Sequence, residues 1–300
     1  MSAIEHEIAS QPSAWRRAAA LAADHADALP RAGARLAVIG CGTSLYMAQA
    51  YAVARESVGL GETDAFAASE IPAGRGYDAI LAISRSGTTT EVVRALETAP
   101  DAVPTYAVVG VAGTPVADTA EHVVVLAFAD EESVVQTRFA TTALVFLLAG
   151  LGQDVEEMAI DADRALAAEL PVDPVAADSF VFLGRGWTVG LANEAALKLR
   201  EAALAWAESY PALEYRHGPI ALAGPGTVAW AFGDVGNDLL GDVRETGAVV
   251  VTSGHHPLAD LVLVQRTAVV LARARSLDPD RPRNLTRSVI LSSQGKAVRS

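Results

Sequence analysis

Positive charge is scarce in this chain: 23 Lys and Arg stand against 36 Asp and Glu, a formal net charge of −13 over 300 residues. A surface that tracks nucleic-acid phosphates or an anionic membrane is basic, so neither is expected as a partner. A small phosphate remains possible, because a few backbone N–H groups at a helix start suffice to hold one. One cysteine, Cys41, rules out an internal disulfide, and a reducing, cytoplasmic setting is expected. Aromatics supply only 6% of residues, so the interior must be filled by aliphatic side chains, within an apolar content of 51%. No apolar run approaches the roughly 18 residues of a membrane span. The longest, Ala143 to Leu151, reads as a buried helix, and the first twenty residues lack the apolar core of a signal peptide.

What is present is rhythm. An opening helix is expected from Ser13 to Leu29, then strand Arg35–Ile39 and helix Thr43–Val58. Strand Ala79–Ser84, helix Thr88–Thr98, strands Tyr106–Val111 and His122–Leu126, and helices Thr137–Leu151 and Val155–Leu170 follow. Residues 171–179, with two prolines, read as a linker. The pattern then restarts with strand Phe180–Leu183, a helix to Ala207, strand Val228–Phe232, a helix to Glu245 and strand Ala248–Thr252. Strands alternating with helices imply parallel sheets. VIGCGTSLYMAQA (38–50) and FLGRGWTVGLANE (182–194) share an apolar strand, G-x-G and an Ala-rich helix, which suggests an internal repeat. The expected fold class is α/β, with two doubly wound, flavodoxin-like parallel-sheet domains. Residues 1–170 form the first, and residues 171–300 a second, shortened one that carries the C-terminal tail.

Two clusters follow strands. In GCGTS, Gly42, Thr43 and Ser44 open a helix where backbone and hydroxyl donors converge. The third glycine of a dinucleotide fingerprint is missing, so no such cofactor is expected. In SRSGTTTE, five hydroxyls between Ser84 and Thr90 exceed what one helix cap needs, and Gly87 keeps the turn open. The loop's hydroxyls are therefore read together as an oxyanion site, with Arg85 either adding charge or facing solvent. The second half has no equivalent, since GDVGND follows its strand.

Acid–base chemistry points to residues 193–219. Glu194, Lys198 and Glu201 lie at i, i+4 and i+7 on one helical face, where a solvated ion-pair ladder is the plain alternative. Glu201, amid Ala and Leu, is read as a carboxylate with a raised pKa suited to shuttling a proton. His217, in a loop before Gly-Pro, suits acid–base work near neutral pH. His255 and His256 lack partner ligands at metal spacing, so no metal is expected, and Cys41 is read as packing.

Taken together, EIASQP, GCGTS, SRSGTTTE, FLGRG, EAALKLRE, EYRHGP and DPDRPRNLTRS (278–288) resemble the sugar isomerase (SIS) domain family, in particular the isomerase half of glucosamine-6-phosphate synthase and stand-alone amino-sugar and ketosamine phosphate enzymes. The resemblance implies two SIS-type domains. It implies that Thr43, Ser44, Ser84, Ser86 and Thr89 hold a sugar phosphate, that Glu201 moves a proton between C1 and C2, and that Glu194 and Lys198 line the same site. It further implies a homodimer in which His217, from the neighbouring subunit, assists ring opening. No glutaminase half is expected. Three positions depart from the family pattern. Arg287 stands where the family has an imine-forming lysine, Gln136 and Arg138 where the synthase has serine and lysine, and the chain is shorter between Leu263 and Val269. The expected function is a phosphosugar isomerase, deaminase or deglycase without cofactor. The alternatives are a sugar-phosphate sensor, or less favoured an ether-cleaving lyase.

Overall fold

A computed structural model describes residues 1–25, 28–291 and 297–298. Two helices, α1 (Ala3–Ala9) and α2 (Gln11–Asp24), open the chain. The single helix expected over 13–29 thus starts earlier and stops at Asp24; residues 26 and 27 lie outside the described residues. Pro12 sits in the first turn of α2, where its missing N–H costs nothing.

The first parallel sheet comprises β1 (Leu36–Gly40), β2 (Thr63–Ala67), β3 (Ala79–Ser84), β4 (Thr105–Val109) and β5 (His122–Val125), in the order β2-β1-β3-β4-β5. Its helices are α3 (Thr43–Ser57), α4 (Thr90–Glu97) and α5 (Pro115–Thr119). Helices α6 (Arg138–Gly150) and α7 (Val155–Ala167) lead to the second sheet. That sheet holds β6 (Ser179–Gly184), β7 (Trp206–Pro211), β8 (Thr227–Phe232) and β9 (Val249–Val251), in the order β7-β6-β8-β9. Its helices are α8 (Thr188–Ala203), α9 (Asn237–Glu245) and α10 (Pro257–Ala274), and a short hairpin of β10 (Ile290–Leu291) and β11 (Ala297–Val298) ends the described chain. In each sheet the chain enters on the strand next to one edge, fills that edge and then builds outward on the other side, so each has a switch point: between β1 and β3 in the first, between β6 and β8 in the second.

Successive strand residues face opposite sides. Leu36, Val38, Leu81 and Ile83 from one sheet and Phe180, Phe182, Trp230 and Phe232 from the other enter a single apolar cluster with α2, α3, α6, α7, α8 and α10. The helices are a shared middle layer. Ala37, Ile39, Ile80 and Ala82 face the other way and are covered by α4 and α5, while Val181, Leu183, Ala229 and Ala231 are covered by α9.

Four elements depart from expectation. Edge strands β2 and β7 were not foreseen: both are half-buried, and β7 carries Glu208 and Pro211, which weaken a strand signal. The helix expected to reach Ala207 ends at Ala203, where Leu204 adopts a left-handed conformation at φ 51°. Helix α10, continuous and largely buried over Pro257–Ala274, was not foreseen either and contains the stretch Leu263–Val269.

Candidate active site

The site begins where α3 and α8 touch. Gly190 makes this possible, because a Cβ there would lie 2.5 Å from the Tyr46 carbonyl oxygen. Asn193 Nδ2 donates to Gln49 Oε1 at 2.8 Å one turn further along. This close packing sets the Glu194–Lys198–Glu201 face of α8 against the start of α3.

Lys198 is the hub. Its ammonium donates to Thr43 Oγ1 at 3.0 Å and to Glu201 Oε2 at 2.6 Å, and lies 3.3 Å from Glu194 Oε1. Glu194 and Lys198 are fully buried, which excludes the solvated ladder. Burial pushes the Glu194 carboxyl up to about 7; Lys198 opposes that rise and Glu201 adds to it. Burial alone would lower the Lys198 ammonium, yet the two carboxylates raise it above the usual lysine value. The fully buried carboxyl is thus Glu194, whereas Glu201, with 19% of its side chain exposed, is the member open to a ligand. Sequence reasoning assigned burial to the wrong glutamate because both sit among Ala and Leu, and only the helix's rotation against α3 distinguishes them.

Both turn clusters flank the β1–β3 switch point, since these strands are neighbours. Thr43 and Ser44 are buried at the start of α3, and Gly42 supplies the turn at φ 53°. Cys41 beside them is pushed to about 11 by burial, with the Glu91 carboxylate of α4 adding to it, so the thiol stays protonated and the two turns adjoin. In the Ser84–Thr90 loop, Ser84 Oγ accepts from the Gly87 amide at 3.2 Å and Ser86 Oγ from the Thr88 amide at 3.2 Å. Thr89 caps α4 in an extended conformation without a side-chain cap bond. Among the described residues, Ser44 and Thr89 therefore keep hydroxyls free of intramolecular hydrogen bonds.

Arg85 turns inward. It is 2% exposed, donates to the Ser133 carbonyl and to the Arg287 carbonyl at 2.8 Å each, and lies 3.9 Å from Glu131. Glu131, buried, has its carboxyl raised by burial against the pull of Arg85. Glu7 of α1 joins this network through the amide and hydroxyl of Ser133. Nothing local in the sequence marks Glu7 or Glu131 as interior charges. The C-terminal tail lies across the loop: Thr88 Oγ1 donates to Ser288 Oγ at 2.9 Å, and the Thr90 amide to the Val289 carbonyl at 3.2 Å.

Two expected members stand apart from Glu201. Arg287 pairs with Asp130 and donates to the Glu131 carbonyl, and with Arg138 it lines a cavity of 700 Å³ beside α1. His217, at the end of a short 3₁₀ turn (Ala212–Arg216), is exposed, and among the described residues its ring makes no hydrogen bond or ion pair. Among the described residues there is no cluster of groups that could hold a metal ion, and no helix is long and apolar enough to cross a membrane.

An α/β chain whose two parallel sheets share a helical layer, with hydroxyl-rich turns at one switch point, defines a class of small-ligand proteins. No protein-family model matches the chain. It is similar to the glutamine–fructose-6-phosphate aminotransferase (isomerizing) of Methanothermobacter thermautotrophicus, 30% identical over 302 residues, covering 85% of this chain and 51% of that protein. The chain spans about half the length of the curated relatives it matches. Among solved structures it is similar to glucosamine-6-phosphate deaminase from Thermotoga maritima, with TM-score 0.86 and 25% identity over 97% of this chain and 100% of that one. It also shares the fold of tagatose-6-phosphate ketose/aldose isomerase from Escherichia coli, with TM-score 0.79 and 19% identity over 93% and 95% of the two chains.

Proposed function

We propose that the chain is an enzyme acting on a 6-phosphosugar, an isomerase or deaminase that moves a proton between C1 and C2. One observation carries the reading: the partly open carboxylate Glu201 is held 2.6 Å from a buried ammonium that is itself bonded to Thr43 at the switch point. Glu201 is the base that takes the proton next to the carbonyl or imine, with Lys198 orienting it and offering positive charge to the enediolate or enolamine that forms. The names of the relatives support the substrate class, since each contains a 6-phosphosugar.

In this reading residues 1–170 hold the phosphate through Ser44, Thr89 and the amides at the start of α3, with Thr43, Ser84 and Ser86 shaping the cradle. Residues 171–300 supply the catalytic face of α8. Arg287 cannot form an imine, because a guanidinium stays protonated, so the ammonia-adding reaction of a synthase is not part of the proposal. His217, exposed in one chain, is assigned to the site of a second copy in a homodimer.

The test is Glu201→Gln, assayed with fructose-6-phosphate and glucosamine-6-phosphate. Turnover drops by about a hundredfold or more while phosphosugar binding persists. Unchanged turnover refutes the assignment of the base, and binding without turnover in the native chain turns the reading to a sensor.

A further inference from the structure

Arg85 is the only basic residue between Ser84 and Thr90, yet it is 2% exposed and spends its charge on the protein's own backbone. Its two terminal nitrogens donate to the Ser133 and Arg287 carbonyls at 2.8 Å each. Neutralising Glu131 does not explain this choice. The two groups stand 3.9 Å apart, and Glu131 Oε2 is buried with no hydrogen-bond partner among the described residues. A guanidinium serving that carboxylate would fork onto it at hydrogen-bond distance. Taking the charge out of water is costly, and what it secures here is the position of a loop.

The main chain shows which part of the loop is held. The Arg85 carbonyl accepts from the Gly110 amide at 3.0 Å, just past the end of β4. In the sheet β4 lies on one side of β3 and β1 on the other. The peptide after Arg85 is trans, so its N–H, that of Ser86, points opposite to its carbonyl. The Ser86 amide is thereby aimed toward β1, into the switch-point crevice. Among the described residues the Ser86 and Thr89 amides make no hydrogen bond. Those of Gly87, Thr88 and Thr90 are taken by Ser84 Oγ, Ser86 Oγ and the Val289 carbonyl.

The two carbonyls that Arg85 grips are themselves anchored. Glu7 of α1 accepts from the amide and hydroxyl of Ser133. Beyond Arg287 the tail follows the loop, with Ser288 on Thr88 and the Leu291 amide on Thr90 Oγ1 at 2.9 Å. Resting on the function proposed above, we infer that Arg85 is a positioning residue, which aims the Ser86 amide at the substrate phosphate by clamping the loop to Ser133 and to the tail. It does not touch the phosphate itself. The anion is met by a fixed, uncharged donor, and the positive charge is used one layer behind it.

The experiment follows the amides of the whole, isotope-labelled chain by NMR during titration with fructose-6-phosphate. In the native chain the Ser86 amide proton moves downfield as the sugar phosphate binds. Arg85→Ala lowers the affinity about tenfold or more, the effect of losing one charge-assisted bond. Guanidinium ion, far below its denaturing range, fills the vacated space and recovers the loss, and an equal concentration of sodium chloride does not. A residue that only supported the fold would gain nothing from a denaturing ion. Arg85→Lys keeps a buried positive charge but has no fork to bridge two carbonyls. It shows a similar loss, and it carries the test if the alanine variant does not fold. The inference is overturned by a Ser86 amide that stays unmoved while fructose-6-phosphate binds, by native affinity in Arg85→Lys, or by a loss in Arg85→Ala that guanidinium leaves unrelieved. Each of these leaves the phosphosugar reading standing, whereas no binding by the native chain sinks that reading and the inference with it.

Discussion

The Lys198 ammonium and the Thr43 hydroxyl meet at 3.0 Å, and through them the second sheet's helix reaches the first sheet's switch point. Lys198 follows β6, whereas Thr43 follows β1, so the contact depends on the shared helical layer and not on either half alone. It fixes the Glu201 carboxylate relative to the turn that opens α3, the geometry that the proposed proton transfer at a defined carbon requires.

Removing the ammonium tests how much depends on it. Lys198→Met leaves Glu194 buried without its counter-charge, a change that costs about 3 kcal/mol or more when a buried ion pair loses one partner. With its folded pKa already about 7, Glu194 is neutral in the folded state at pH 5 and ionising at pH 8. Chemical denaturation should therefore show a larger loss at pH 8 than at pH 5, and Lys198→Met combined with Glu194→Gln should recover part of it. An equal loss at both pH values would place the cost in packing instead.

Thr43→Val keeps the shape and removes the acceptor. Lys198 then loses one bond in a buried setting, at a cost of about 1–3 kcal/mol. Affinity for fructose-6-phosphate should fall as well, because the ammonium no longer anchors the turn to α8. Thermal unfolding with and without the sugar phosphate separates the two effects.

A second raised carboxyl lies away from the site. Asp260 in the first turns of α10 is 2% exposed, and burial lifts it to about 7, opposed by the nearby Ser253 and Trp230 polar groups, with Asp161 adding to the rise. The folded state therefore holds a proton that the unfolded state releases near 3.8, so stability falls as pH rises from about 4 to 7, and the contribution is lost above that window. Asp260→Asn should flatten that slope and raise the midpoint of unfolding at pH 8. A steeper slope, or no change, would mean that Asp260 is ionised in the fold.

The βαβ rhythm was legible because buried parallel strands are continuous apolar runs: Leu36–Gly40, Ala79–Ser84 and Thr227–Phe232 lie within a residue or two of expectation. Edge strands were not, since Thr63–Ala67 and Trp206–Pro211 bury only part of their length and leave no such run. The i, i+4, i+7 face of α8 was legible from helical spacing alone. Which glutamate is buried was not, because that depends on how α8 docks on α3 through Gly190. Arg85 was legible as a charge near the loop but not as a strap: its inward turn depends on Ser133 and the Arg287 carbonyl, 48 and 202 residues away.

Gly87 has a backbone and a neighbour that both demand glycine. Its φ is +65°, and an added Cβ would collide with the Thr114 side chain, 2.7 Å from its Cβ and closer still to its Oγ1. The left-handed conformation alone costs a non-glycine residue about 1–2 kcal/mol. Gly87→Ala should therefore lose more than that, with the collision added. Combining it with Thr114→Ala should relieve only the contacts with Oγ1 and Cγ2, leaving the 2.7 Å approach to Cβ and the conformational part. If the single change costs nothing in denaturant unfolding, the loop is free to adopt another turn. If the double variant regains stability yet still binds phosphosugar weakly, the turn's shape itself, held by the Gly87 amide on Ser84 Oγ, is what the phosphate needs.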